Sequence, residues 1–153
     1  MDIKFAFTAV SIDDVDRMLA FYRDLLGMEI LSDTDTDQVD PQRQQFYKTL
    51  HQMPDTHFRM IRLKVPQPPV EEFALELKKW YSPTPKPFPG WQRFNDLGHH
   101  YVGLRVKNLE AVYQKLATAG VQFTAPPQKR RDLAAAFCYD PEGNLVVLIE
   151  PLT

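Results

Sequence analysis

Residues 7–17, FTAVSIDDVDR, and residues 101–111, YVGLRVKNLEA, decide how this chain folds. Each stretch is a short alternating strand followed by a polar capping residue and the start of a helix. In the first, Thr8, Val10 and Ile12 alternate with Phe7, Ala9 and Ser11; in the second, Val102, Leu104 and Val106 alternate with Tyr101, Gly103 and Arg105. Alternation of period two gives a strand one apolar face. The recurrence of one pattern within one chain predicts two copies of one supersecondary unit.

After the first strand, Asp13 or Asp14 is placed to cap a helix carrying Val15, Met18, Leu19, Tyr22, Leu25 and Leu26 at helical spacing, with Gly27 as its stop. After the second, Asn108 caps, Leu109, Val112, Tyr113 and Leu116 form the stripe, and Gly120 stops it. Strand-like runs follow at 28–31, 58–65 and 73–80 in the first copy, and at 121–124, 135–139 and 144–150 in the second. Each copy therefore reads βαβββ, and the fold class is α+β. The first copy carries an insertion, 41–53, in which Phe46, Leu50 and Met53 at steps of four and three predict a short helix ended by Pro54. The chain is expected to form a single domain, 1–153, made of module 1–80, linker 81–97 and module 98–153. Pro83, Pro85, Pro87 and Pro89 keep the linker extended, and Trp91 and Phe94 are expected to tie it down.

Length and composition agree with one packed domain: 153 residues, 44% hydrophobic and 25% charged, with both signs mixed. No apolar run approaches the roughly 20 residues that span a bilayer, and the N-terminal stretch lacks the regions of a secretory signal, so no membrane association and a cytoplasmic address are expected. A net charge of −2, from 18 basic and 20 acidic residues, leaves no footprint for nucleic acid. The cluster Lys129, Arg130, Arg131 follows Pro126 and Pro127 and reads as a solvated loop. The single Cys138 excludes an internal disulfide and reads as a small core residue.

The segments FTAVSIDDVDRMLAFYRDLLGMEI, HFRMIRLKV, FALEL, LGHHYVGLRVKNLEAVYQKLATAGV and YDPEGNLVVLIEP together resemble the vicinal oxygen chelate superfamily. That superfamily includes glyoxalase I, methylmalonyl-CoA epimerase, extradiol dioxygenases, and fosfomycin and bleomycin resistance proteins. The resemblance implies paired βαβββ modules whose sheets form an open cup around a small-molecule site, with the helices on the outer face. In metal-dependent members each module supplies one ligand from its first strand, usually His, and one from its last strand, usually Glu. Carried over, those positions fall on Phe7 and Glu76 in the first module and on Tyr101 and Val147 in the second. Only Glu76 matches. His100 and Glu150 have the wrong strand parity to replace the missing ligands, whereas His99 shares parity with Tyr101. One His and one carboxylate are a poor set for zinc, iron or nickel, so neither a metal nor another cofactor is expected.

The strand alternates opposite the hidden apolar face would line the cup: Phe5, Phe7, Ala9 and Ser11; Phe58, Met60, Arg62 and Lys64; Ala74, Glu76 and Lys78; His99, Tyr101, Gly103 and Arg105; Leu145, Val147 and Ile149. Glu76 is expected to be either a general base or the partner of Arg62 or Arg105 in an ion pair. Tyr101 either donates to a developing oxyanion or fills the space of the lost metal, and His99 is either a proton shuttle or a solvated strand end. Arg62 and Arg105 suit a ligand carboxylate or enolate, or are surface cations. Phe7, Phe58, Met60, Gly103 and Val147 would contact the ligand skeleton, with Trp80 and Trp91 as a rim or as packing. The expected function is a metal-independent enzyme of isomerase or lyase type acting on a hydrophobic, oxygenated small molecule. The alternative is a non-catalytic protein that sequesters an antibiotic or metabolite. A homodimer is expected, since relatives in the superfamily pair modules between chains and the aromatic linker supplies apolar surface.

Overall fold

The alternation in residues 7–12 becomes β1 (Phe7–Ile12), which lies parallel to β4 (Ala74–Ser82). Between them in sequence come β2 (Glu29–Asp35) and β3 (His57–Lys64); β3 is antiparallel to both β2 and β4, so the sheet order is β1-β4-β3-β2. The computed structural model describes residues 7–66, 74–87 and 101–152, and it divides into two compact units, Met1–Pro87 and Phe88–Thr153. The second unit repeats the topology of the first. β5 (Tyr101–Arg105) is parallel to β8 (Leu145–Pro151), β8 is antiparallel to β7 (Leu133–Tyr139), and β6 (Gln128–Arg130) closes the order β5-β8-β7-β6. Two βαβββ modules are present, and the fold class is α+β.

Each helix begins where a short polar side chain satisfies the orphan N–H groups of a first turn. Asp14 accepts the Arg17 N–H at 3.0 Å and opens α1 (Val15–Leu19), and Asn108 accepts the Ala111 N–H at 3.1 Å and opens α3 (Leu109–Thr118). Gly27 (φ 75°) and Gly120 (φ 86°) end the two helical segments in the left-handed region that a β-carbon disfavours. α1 continues into wider π-helical turns over Ala20–Leu25. The extra residue per turn shifts the stripe. Phe21 joins Met18, Leu19 and Tyr22 in the core, its ring 4.9 Å from that of Tyr22, while the expected Val15, Leu25 and Leu26 are only half-buried. The sheet residues buried with them are Ile12, Ile61, Leu63, Leu75 and Leu77, each worth roughly 1.5–3 kcal/mol of transfer free energy. In the second module the corresponding set is Val102, Val146, Leu148, Ala134, Ala136 and Cys138, with Leu109 and Leu116 from α3.

Three expectations need correction. The insertion does form a helix, α2 (Pro41–His51), capped by Asp40 on the Arg43 N–H, but it stops at the left-handed Gln52 before Pro54 is reached. The apolar residues whose spacing marked the helix point outward: Phe46 is 57% and Leu50 62% exposed, and Met53 beyond the helix is exposed too. Tyr47 and His51, one position further round the helix, turn onto β3 instead, with ring centroids 5.2 Å and 5.3 Å from Phe58. Both rings meet Phe58 edge-on, with 77° and 75° between the planes, the arrangement the ring quadrupoles favour.

In the second module, residues 121–124 contribute an isolated bridge, Phe123 to Cys138, and the strand is Gln128–Arg130. Pro126 and Pro127 have no N–H to give a ladder, so pairing breaks across them. The basic cluster read as a loop therefore begins inside an edge strand. Finally, β4 runs to Ser82, so Tyr81 belongs to the sheet. Phe5, Phe73, Trp91, Phe94, His99 and His100 lie outside the described residues.

Candidate functional site

Register sorts the side chains of each sheet onto two faces. In the first module Phe58 pairs with Trp80, Met60 with Lys78 and Arg62 with Glu76; across the parallel pair, Phe7 opposes Ala74, Ala9 opposes Glu76 and Ser11 opposes Lys78. These residues share the face opposite the core. In the second module Tyr101 opposes Leu145 and Gly103 opposes Val147. Phe7 and Tyr101 are thus equivalent positions, as are Glu76 and Val147.

Glu76 stands at the centre of the first face and is only 5% exposed. Arg62 Nε lies 3.2 Å from its Oε1, and Lys78 Nζ lies 3.7 Å from its Oε2. Of the two partners expected for Glu76, Arg62 fills the role; Arg105 is an exposed residue of the other module. The Arg62 approach is close but not directed, because Nε is buried and makes no hydrogen bond of acceptable geometry. The Lys78 ammonium also sits 5.4 Å over the Phe58 ring, a cation–π contact. Lys78 and Arg62 therefore neutralise the buried carboxylate by charge proximity more than by hydrogen bonding.

Aromatic rings bound this cluster on one side. Phe58 is wholly buried, 4.9 Å from Trp80 and beneath Tyr47 and His51. It supports the face from beneath, with no surface exposed to solvent. Met60 is buried beside it. Trp80 lies on the sheet face, its indole N–H donating to Ser11 Oγ at 3.0 Å.

His51 joins the cluster unannounced by the strand pattern. Its ring is 5.4 Å from Trp80, and burial and the Lys78 ammonium push it below its ordinary value of 6.5, with the Tyr47 carbonyl acting in the opposite direction. Its Nδ1 is buried without a partner at hydrogen-bond geometry. The signal that could have found it is the i, i+4 pair Tyr47 and His51, a second aromatic phase on the insertion helix.

On the second module's face, Tyr101 is half exposed and packs edge-on to Phe137 at 5.2 Å. Val147 is buried. A β-carbon on Gly103 would meet Val147 Cγ1 at 3.5 Å, an ordinary contact, so packing does not require the glycine there. Glu150, on the opposite parity, accepts the N–H groups of Asn108 (2.8 Å) and Leu109 (2.9 Å) and so caps α3. His99 and Trp91 lie outside the described residues.

The family profile described as Glyoxalase/Bleomycin resistance protein/Dioxygenase superfamily matches residues 4–148. The chain belongs to this superfamily. Among solved structures, a glyoxalase family protein from Bacillus cereus superposes with a TM-score of 0.84 at 14% identity, covering 100% of this chain and 97% of that one. The trypanothione-dependent glyoxalase I of Leishmania major superposes with a TM-score of 0.66 at 19% identity, over 97% and 87% of the two chains. TnmS3, an antibiotic binding protein from Streptomyces sp. CB03234, does so with a TM-score of 0.63 at 20% identity, over 99% of each. At these identities the likeness is one of fold. No curated protein is similar in sequence to the chain.

Superfamily membership raises a divalent metal, and the described residues at the matching positions do not fit one. Phe7 and Val147 carry no donor atom, and both oxygens of Glu76 already face cations. Each pair of unit positive charges at 4 Å costs about 4 kcal/mol at an effective dielectric constant of 20, and a divalent ion on Glu76 would face that repulsion from two neighbours. Among the described residues no three His, Cys, Asp or Glu side chains stand close enough together to hold an ion. No helix among them is long and apolar enough to cross a membrane.

Proposed function

We propose that this protein binds a hydrophobic, oxygen-bearing small molecule on the sheet face of its first module, without a divalent metal. The observation that carries this reading is Glu76, set between Arg62 and Lys78 at the position the superfamily resemblance assigns to a metal ligand. A carboxylate flanked by two cations is a counter-charge, and what it leaves at the surface is positive. TnmS3, an antibiotic binding protein of the same fold, agrees with a sequestering function.

An enzymatic reading stands second: metal-independent isomerase or lyase chemistry with Glu76 as base. It is favoured by one feature, the absence of a directed hydrogen bond from Arg62, which leaves Glu76 lone pairs uncommitted. A native mass spectrum of the purified protein separates binding from no binding, because a retained molecule leaves a mass excess that disappears on denaturation. Glu76→Gln then separates the two readings. A binder shows no turnover of its retained ligand in either form, whereas an enzyme using Glu76 loses about a hundredfold or more in kcat with ligand affinity kept. A homodimer belongs to the same proposal, and a monomer at micromolar concentration in sedimentation would overturn that part.

A further inference from the structure

Positive charge exceeds negative on the first module's sheet face. Arg62 and Lys78 share the single carboxylate of Glu76. The remaining charges on the described part of this sheet are paired elsewhere: Lys64 with Glu29 at 3.3 Å, Arg59 with Asp33 at 2.6 Å, Lys79 with Asp13, and Asp35 with His57 at 3.0 Å. Burial and Lys78 hold His51 toward its neutral form, so it adds no lasting charge near neutral pH. One net positive charge is left where water is partly excluded. Neither cation makes a directed hydrogen bond to a described residue: Lys78 Nζ is beyond hydrogen-bond reach of Glu76, and Arg62 Nε is unpaired. Arg62 keeps 35% of its side chain exposed and Lys78 keeps 16%. Donors left short of acceptors in this way favour a ligand that supplies an anionic oxygen.

The side chains beside them are small or aromatic. Ala9 and Ser11, directly across from Glu76 and Lys78, are small and exposed, and Ser11 holds the Trp80 indole on the same face. A planar ring can lie over Ala9 against Trp80 while its acidic substituent reaches Lys78 and Arg62. We infer that Lys78 and Arg62 form a recognition site for the carboxylate or enolate oxygen of an aromatic monoanion. This rests on the binding reading above and names the ligand class for it.

The test compares 2-naphthoate with 2-naphthalenemethanol, which share a ring system and differ in charge, by isothermal titration of the full chain. The expected result is at least tenfold tighter binding of naphthoate, with the preference falling as salt is raised. Lys78→Met should erase the preference. Should that variant fold poorly because Glu76 is left with less compensation, the triple variant Arg62→Met/Lys78→Met/Glu76→Gln, in which no charge of the cluster remains, should fold and still lack it. Glu76→Gln alone should tighten naphthoate binding, because it removes the opposing charge. Equal affinities for the two probes, or a naphthoate preference untouched by Lys78→Met, would overturn the charge recognition while leaving the binding reading standing. Failure of both probes to bind, together with an empty native mass spectrum, would overturn the binding reading itself.

Discussion

Two side chains report directly on the interior they sit in. Cys138 is fully buried on the hidden face of β7, and burial, with Asp140 nearby, pushes its thiol up to about 12. The thiolate is the reactive form, so native protein at pH 8 should resist iodoacetamide and become labelled only once unfolded; mass spectrometry of protein treated with and without urea checks this. His51 behaves in the opposite sense. Its folded state disfavours the proton relative to the unfolded value of 6.5, so the unfolded chain takes up the proton first as pH falls. The stability His51 contributes is therefore complete above about pH 6.5 and is lost on acidification below it. Urea midpoints should fall more between pH 7 and pH 5 in the wild type than in His51→Gln, a difference in which contributions common to both proteins cancel.

Among the elements, α3 shows how a residue of one strand is spent on a helix. Asn108 caps it through the Ala111 N–H, and both Glu150 oxygens take the two N–H groups before that, placing a negative charge at the positive end of the helix dipole. Glu150→Ala should lower stability by about 1–2 kcal/mol, read from denaturant unfolding, with Glu150→Gln losing less because it keeps an acceptor. The hairpin after β7 uses the same device. The Asp140 carboxylate accepts the N–H groups of Glu142 (3.0 Å) and Asn144 (2.9 Å), which is the physical content of the DPEGN motif. α2 teaches the contrary lesson. Phe46 and Leu50 have the right spacing for a buried stripe, yet Tyr47 and His51 are the pair that Phe58 and Trp80 accept.

For the whole molecule, a chain with two matched modules and a cation-flanked Glu76 should not hold a stoichiometric transition metal. Protein exposed to zinc, nickel or iron and then dialysed should retain well below one equivalent by elemental analysis, and a full equivalent lost in Glu76→Gln would overturn that expectation. The repeat itself was legible in the residues, because period-two alternation, a capping Asp or Asn and a terminating Gly are local signals, and each acts within a few residues of itself. They determined both βαβββ modules, the hidden face of each sheet and the equivalence of Phe7 with Tyr101. What the sequence could not determine was anything set by partners distant along the chain. The choice of Arg62 as a companion of Glu76, with Lys78 on its other oxygen, depends on the pairing of β3 with β4. The outward turn of Phe46 and Leu50 depends on which helix phase the aromatic face of that sheet admits, and the break at Pro126 and Pro127 on which N–H groups β7 needs. Those decisions belong to tertiary structure, since a side chain's burial and charge environment come from neighbours across a sheet, while its propensity comes from neighbours along the chain.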